Sequence, residues 1–224
     1  MFSISTKYSQ NYDFIAILSG KKSNFKIISS IIDSKNANLL KDKAIKNKKQ
    51  FTFISKIENS KFKNFYFFNI CDKENDYDYQ DIGGQIISEA LALKKEKVDI
   101  IIDTLPQNLQ KPKIINNILV GILSKSYVFN DYKLDKKNFK KIVKINLVTK
   151  HKSLVNSCIK YASNVDTGVS QTRDLVTMPP NILNPFKFTK EIKKLSRYGL
   201  KIEILDQNKL RKIGMKALLG VGQG

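Results

Sequence analysis

Five acidic residues near the C-terminus, Asp166, Asp174, Glu191, Glu203 and Asp206, are the natural place to look for metal chemistry. A cation site needs several donors converging on one point, and their spacing along the chain offers no such cluster. Helix caps and solvated surface charge account for them more simply. His151 is the single histidine, so a Ser-His or Cys-His mechanism has to use it. Flanked by Lys150 and Lys152 at a helix start, it reads as a solvated residue. Gly220-x-Gly222-x-Gly224 copies part of a dinucleotide-binding loop, but no helix and no acidic residue come after it. Gly83-Gly84-Gln85, read as opening a helix, offers backbone N–H groups to a phosphate. The plainer reading of the two glycines is a tight turn with close packing. Arg173 beside Asp174 reads as a structural ion pair, and Cys71 and Cys158, in no C-x-x-C pattern, as two reduced buried thiols. No residue is assigned a catalytic, cofactor-binding or metal-binding role.

The elements that would position a site alternate along the chain. Phe14–Leu18, Phe25–Ile32, Phe51–Ile57 and Phe65–Ile70 are Phe- and Ile-rich runs bounded by polar residues, and they read as strands. Ile82, Ile86, Ala90 and Leu93 then recur on one face of a helix. Val98–Ile102 reads as a strand covered on both faces. Pro112 opens a second helix carrying Ile114, Ile115, Ile118, Leu119, Ile122 and Leu123, and Ile142–Val148 is a further strand. From Ser153 a long helix keeps Leu154, Val155, Cys158, Ile159, Ala162, Val165 and Val169 on one face, and Pro179 and Pro180 stop it near Thr177. Asn184-Pro185 caps a helix that Gly199 ends, Leu200–Leu205 reads as a strand, Asp206 caps a short helix ending at Gly214, and Ala217–Val221 reads as a last strand. The alternation predicts an α/β fold. A final strand with no partner for its exposed face gives the expectation of a cut chain, its C-terminal part loose.

Composition narrows the class. A hydrophobic fraction of 42% is that of a globular chain. No apolar run approaches membrane-spanning length, and residues 1–10 lack a signal-peptide pattern, which predicts a cytoplasmic protein with no membrane partner. The net charge of +20 invites a nucleic-acid partner, yet only Arg173, Arg197 and Arg211 among the 40 basic residues are arginine. Lysine lacks the guanidinium fork that reads bases and phosphates. Its clusters, Lys46/Lys48/Lys49, Lys94/Lys95/Lys97 and Lys136/Lys137/Lys140/Lys141, are dispersed, as a solvated lysine surface would be.

Four segments carry a resemblance. Thr172-Arg173-Asp174-Leu175-Val176-Thr177-Met178-Pro179-Pro180-Asn181-Ile182-Leu183-Asn184-Pro185 resembles the linker of the leucyl (cytosol) aminopeptidases, two-metal peptidases. The stretch from Leu200 through Ile213-Gly214-Met215-Lys216-Ala217-Leu218-Leu219-Gly220 to Gly224 is similar to the family's segment immediately after that linker. Val120-Gly121-Ile122-Leu123 with Tyr127, Phe129, Tyr132 and Lys133 resembles the helix end and aromatic turn of the family's N-terminal domain, and Gly83-Gly84 is a weaker match. The resemblance implies a macro-domain-like N-terminal α/β domain over 1–150, a connector helix over 151–176, and the truncated start of the metallopeptidase domain over 177–224.

It also implies chemistry. The family uses two divalent ions, Mn or Zn, held by a lysine, three aspartates and a glutamate, with a second lysine and an arginine acting on the substrate. Bridged cations acidify a shared water and polarise the scissile carbonyl. The Gly-Lys-Gly-x-x-x-Asp-Ser-Gly-Gly and Asn-Thr-Asp-Ala-Glu-Gly-Arg segments that carry these groups do not occur here and correspond to positions beyond Gly224. The chain alone is therefore expected to be inactive. Peptides as substrate and homohexameric assembly are implied for the complete enzyme, and weak, non-specific nucleic-acid contact is expected from the charge. The alternative is a non-catalytic, lysine-rich nucleic-acid-binding or assembly module.

Overall fold

Apolar side chains on both faces of short segments produce a central sheet. A computed structural model of the chain describes residues 1–9, 11–19, 23, 25–32, 38, 51–58, 61–70, 75–105, 109–132 and 144–222. Cys71, Lys133 and the lysine clusters at 46–49 and 136–141 lie outside the described residues. Two compact units are present, Met1–Ser170 and Gln171–Gly224.

The first unit holds strands β1 (Phe2–Ser5), β2 (Phe14–Ser19), β3 (Phe51–Glu58), β4 (Lys61–Asn69), β5 (Lys97–Ile101) and β6 (Lys144–Val148) in the order β1-β6-β5-β2-β4-β3. All neighbours run parallel except β3, which pairs antiparallel with β4. The fold is therefore α/β with a mainly parallel sheet. β2 lies in the sheet interior, and every one of its six residues is buried. Phe14, Ala16 and Leu18 enter the core on one face, and Ile15 and Ile17 enter a second core on the other. Burying each large side chain of this kind stabilises the fold by about 1.5–3 kcal/mol. The four-residue β1 is a strand the sequence pattern does not announce, although Phe2 and Ile4 alternate onto the first core.

Helix α1 (Phe25–Ile32) corrects an expectation of strand. Ile28 and Ile32, one turn apart, are fully buried against Ile15 and Ile17. Their i, i+4 spacing is the helical period, which the density of apolar residues concealed. On the opposite face lie α2 (Asp76–Ala92), α3 (Pro112–Ser126) and the first turns of α4 (Lys152–Thr177). A capping box starts α2: Asn75 Oδ1 accepts from the Asp78 N–H at 3.0 Å, and the Asp78 carboxylate accepts from the Asn75 N–H at 3.4 Å. This start at Asp76 puts Gly83 and Gly84 inside the helix, so they do not open it as expected from the sequence. α3 begins on Pro112 as expected, and its stripe from Ile114 to Leu123 is buried. α4 buries Val155, Cys158 and Ala162 and ends at Thr177, before the two prolines.

In the second unit, α5 (Pro185–Lys193) starts at a cap in which Asn184 Oδ1 accepts from the Lys187 N–H at 3.0 Å. The 3₁₀ turn Lys194–Tyr198 ends at Gly199, whose φ of 84° suits glycine. Asp206 caps α6 (Gln207–Lys212), as its sequence position indicates. Two expected strands are not formed. Leu200–Leu205 is irregular, and Ala217–Val221 belongs to helix α7 (Lys216–Val221). A strand needs a neighbour to complete its hydrogen bonds, whereas a short helix satisfies its own.

Candidate functional site

Parallel strands end together, and the turns beyond β5 and β6 bring the polar groups of the first unit into one place. Past β5, the 3₁₀ turn Ile102–Thr104 presents Asp103, and past β6 the chain runs Thr149-Lys150-His151 into α4. Asp103 Oδ1 accepts from the Thr149 hydroxyl at 2.6 Å and Oδ2 from the Lys150 N–H at 2.8 Å. Thr149 Oγ1 in turn accepts from the His151 N–H at 2.9 Å. Behind them is a cavity of about 120 Å³ lined by Gln110, Ile115, His151 and Val155. The Thr149 hydroxyl is committed to Asp103, so it offers no free nucleophile. These bonds tie two turns together, and His151 remains exposed, as its sequence context predicted.

A wider cleft of about 480 Å³ opens on the α1 side of the same strand ends. Ile27, Ile31, Ile101 and Val148 give it an apolar floor, and Lys7 and Lys150 a cationic rim. Asp103 and Tyr8 also line it, with the Asp103 carboxylate already accepting from the Thr149 hydroxyl and the Lys150 N–H.

Deeper in the sheet lies a residue that the sequence did not single out. Asp99, in the middle of β5, has no exposed surface. Its Oδ1 accepts from Asn146 Nδ2 at 2.5 Å and its Oδ2 from the Ser9 N–H at 2.9 Å. Asn146 also donates to Ser5 Oγ at 2.9 Å and accepts from Ser3 Oγ. Lys63, only 4% exposed, donates to the carbonyls of Ser9 and Tyr12. Burial pushes the Asp99 carboxyl up to about 6, while the bonds from Asn146 and Ser9 and the nearby Lys63 ammonium pull it down. The network fastens the β1–β2 connection to the sheet. Its only sequence signal was a lone carboxylate inside an otherwise apolar strand.

The other sequence candidates are scattered. Gly83 sits where a Cβ would lie 2.0 Å from the Ile118 carbonyl oxygen, so it serves helix contact, and its position inside α2 removes the phosphate reading. Gly220 falls within α7. Asp166 accepts from Ser170, Glu191 pairs with Lys194 at 2.6 Å, and Glu203 lies 4.0 Å from Lys209. Arg173 and Asp174 sit near the end of α4, and the Phe129 and Tyr132 rings meet in a tilted pair, centroids 5.7 Å apart. Burial raises the Cys158 thiol above its usual range. Among the described residues, no three His, Cys, Asp or Glu side chains gather as a metal site would require. The described residues do not fit a two-metal centre. No helix among them is long and apolar enough to cross a membrane.

Comparison with known proteins adds a family. Residues 170–224 match the profile of the cytosol aminopeptidase family, catalytic domain. A protein described as a "probable cytosol aminopeptidase" from Phytoplasma mali (strain AT) is 36% identical over 154 residues, which cover 67% of this chain and 30% of that protein. Another of the same description, from Rhizobium rhizogenes, is 35% identical over 156 residues, 67% of this chain and 31% of the relative. The chain thus spans about 30% of the length of the curated relatives it matches. Among solved structures, a substituted tomato leucine aminopeptidase is similar with a TM-score of 0.65 at 17% identity, over 94% of this chain and 45% of that one. The bottromycin maturation enzyme BotP in complex with Mn gives 0.58 at 12% identity, over 90% and 40%. At these identities the structures speak for the fold.

Proposed function

Because the chain belongs to the cytosol aminopeptidase family, we propose that it forms the N-terminal portion of a leucyl aminopeptidase. The complete enzyme would release N-terminal amino acids from peptides, with Mn or Zn, in intracellular protein turnover, and would assemble as homohexamers. On this reading residues 1–150 are a macro-like α/β domain, 151–176 a connector helix and 177–224 the start of the peptidase domain. One observation carries it: the catalytic-domain match begins at residue 170, where the structure itself parts into units at Ser170 and Gln171. The chain has no activity by itself, because the metal-binding and substrate-activating segments of the family do not occur in its sequence.

The test is a fusion. The full chain is joined in frame to the unmatched remainder of the Phytoplasma mali relative and assayed on leucine amide with Mn. The fusion turns over and the chain alone does not exceed a mock purification. An inactive but folded fusion, or metal-dependent turnover by the chain alone, overturns the reading. A second reading, a lysine-rich nucleic-acid-binding or assembly module, draws on the +20 charge.

A further inference from the structure

The strand order marks one crevice in the sheet. β2 continues through α1 toward β4 and β3 on one side, whereas its neighbour β5 continues through α3 to β6 on the other. α1 and α3 also cover opposite faces. In open α/β sheets ligands bind outside the carboxyl ends of the strands, where neighbouring strands send their connections apart. The cleft of about 480 Å³ opens there on the α1 face, floored by Ile101 at the end of β5, Val148 at the end of β6, and Ile27 and Ile31 of α1. Its volume is that of a small-molecule site.

The wall of the cleft is fixed in the free protein. Residues 6–8, after β1, form that wall. The Ser5 hydroxyl donates to the Lys7 carbonyl at 2.5 Å and the Ser9 N–H donates to Asp99 at 2.9 Å, so bonds hold the segment from both sides. The Tyr8 ring meets Phe65 edge-on, with centroids 5.9 Å apart. A wall already held in place loses little binding energy to ordering.

Charge selects the ligand. Lys7 and Lys150 are exposed at the rim, and neither ammonium is in an ion pair among the described residues. The carboxylate of Asp103 is already engaged by the Thr149 hydroxyl and the Lys150 N–H. Two uncommitted point cations above an aliphatic floor suit a compact dianion attached to an apolar body. A phosphate monoester is such a head, with nearly two negative charges at neutral pH.

We propose that this cleft is a binding site for a small phosphate monoester carried on an apolar ring, with the phosphate between Lys7 and Lys150 and the ring on Ile27, Ile31, Ile101 and Val148. Every residue it uses lies in the first unit, so it stands apart from the peptidase reading.

The test is calorimetric titration of the full chain with naphthyl phosphate, naphthol and inorganic phosphate. Naphthyl phosphate binds saturably, roughly tenfold or more tighter than either fragment, because head and ring each contribute. The double variant K7A/K150A weakens naphthyl phosphate by roughly tenfold, at two rim charges of modest strength each. K201A/K212A, which removes two exposed lysines of the other unit, changes it less than about twofold. Ile31→Ala weakens naphthyl phosphate and leaves inorganic phosphate unchanged. The proposal is overturned by no saturable binding below about 1 mM. It is equally overturned if inorganic phosphate binds as tightly as naphthyl phosphate, or if both lysine pairs weaken binding alike, since the net charge alone then accounts for the affinity. Naphthol bound as tightly as its phosphate also overturns it, because the lysines then select nothing.

Discussion

Asp99 is the residue on which chain chemistry and fold stability meet. Its carboxyl titrates near 6 in the fold, against an ordinary carboxylate value of 3.8. Below about pH 4 both the folded and the unfolded chain hold the proton, and the fold has its full stability from this group. Between about pH 4 and pH 6 the unfolded chain releases the proton first, so stability falls as pH rises, and the loss is complete above the folded value. Two pKa units correspond to about 3 kcal/mol. Asp99→Asn removes the titration but faces the Ser9 N–H with its own N–H, losing one bond. The variant should therefore be less stable than the native chain near pH 4 and gain on it steadily toward about pH 7. Urea unfolding followed by circular dichroism across that range measures the difference. Parallel pH profiles for the two proteins would sink the assignment. The sequence could not reveal this residue, because Ser9, Lys63 and Asn146 reach it from 90, 36 and 47 positions away. The caps Asn184 and Asp206, in contrast, are local and were legible from residues three positions apart.

The helix pair α2 and α3 shows what was legible for whole elements. Both helices were visible in the 3.6-residue recurrence of isoleucines, and Pro112 marked one start. What the pattern could not show is that they cross at glycine. A Cβ on Gly121 would lie 1.9 Å from the Gln80 carbonyl oxygen, matching the 2.0 Å contact of Gly83 with Ile118. Both obstacles are backbone and cannot rotate away, so either alanine must push the helices apart and loosen the buried Ile82, Ile86, Ile118 and Ile122. Gly83→Ala and Gly121→Ala should each cost about 3 kcal/mol or more. Gly84, whose added Cβ would meet only Lys125 Cβ at 4.0 Å, is the internal control. Gly84→Ala should stabilise by up to about 1 kcal/mol through helix propensity. Denaturation midpoints of the three variants decide it, and a Gly83→Ala as stable as Gly84→Ala would contradict the crossing. The misread elements have a common physical cause. Phe25–Ile32, Leu200–Leu205 and Ala217–Val221 are short apolar runs whose state depends on which neighbours are present, and local sequence does not state the neighbours.

For the molecule as a whole, the charge was read directly from composition, whereas the partition at Ser170 needed coordinates because α4 runs through it without a break. The +20 charge makes some affinity for polyanions unavoidable. Its form decides what kind. Lysine neutralises phosphate as a point charge and releases counterions, which gives affinity without sequence preference. Of the named clusters within the described residues, Lys94, Lys95 and Lys97 flank the turn into β5, and Lys95 is already paired with Asp13. Only three arginines exist for bidentate base contacts. Binding to duplex DNA should therefore be micromolar or weaker and fall steeply as salt rises, with a random and a selected duplex competing equally at about 150 mM salt. Competition titrations at several salt concentrations measure both quantities. A selected site held roughly a hundredfold tighter than random DNA at that salt would require base readout. It would then make the lysine-rich binding module, and not the peptidase portion, the better account of the charge.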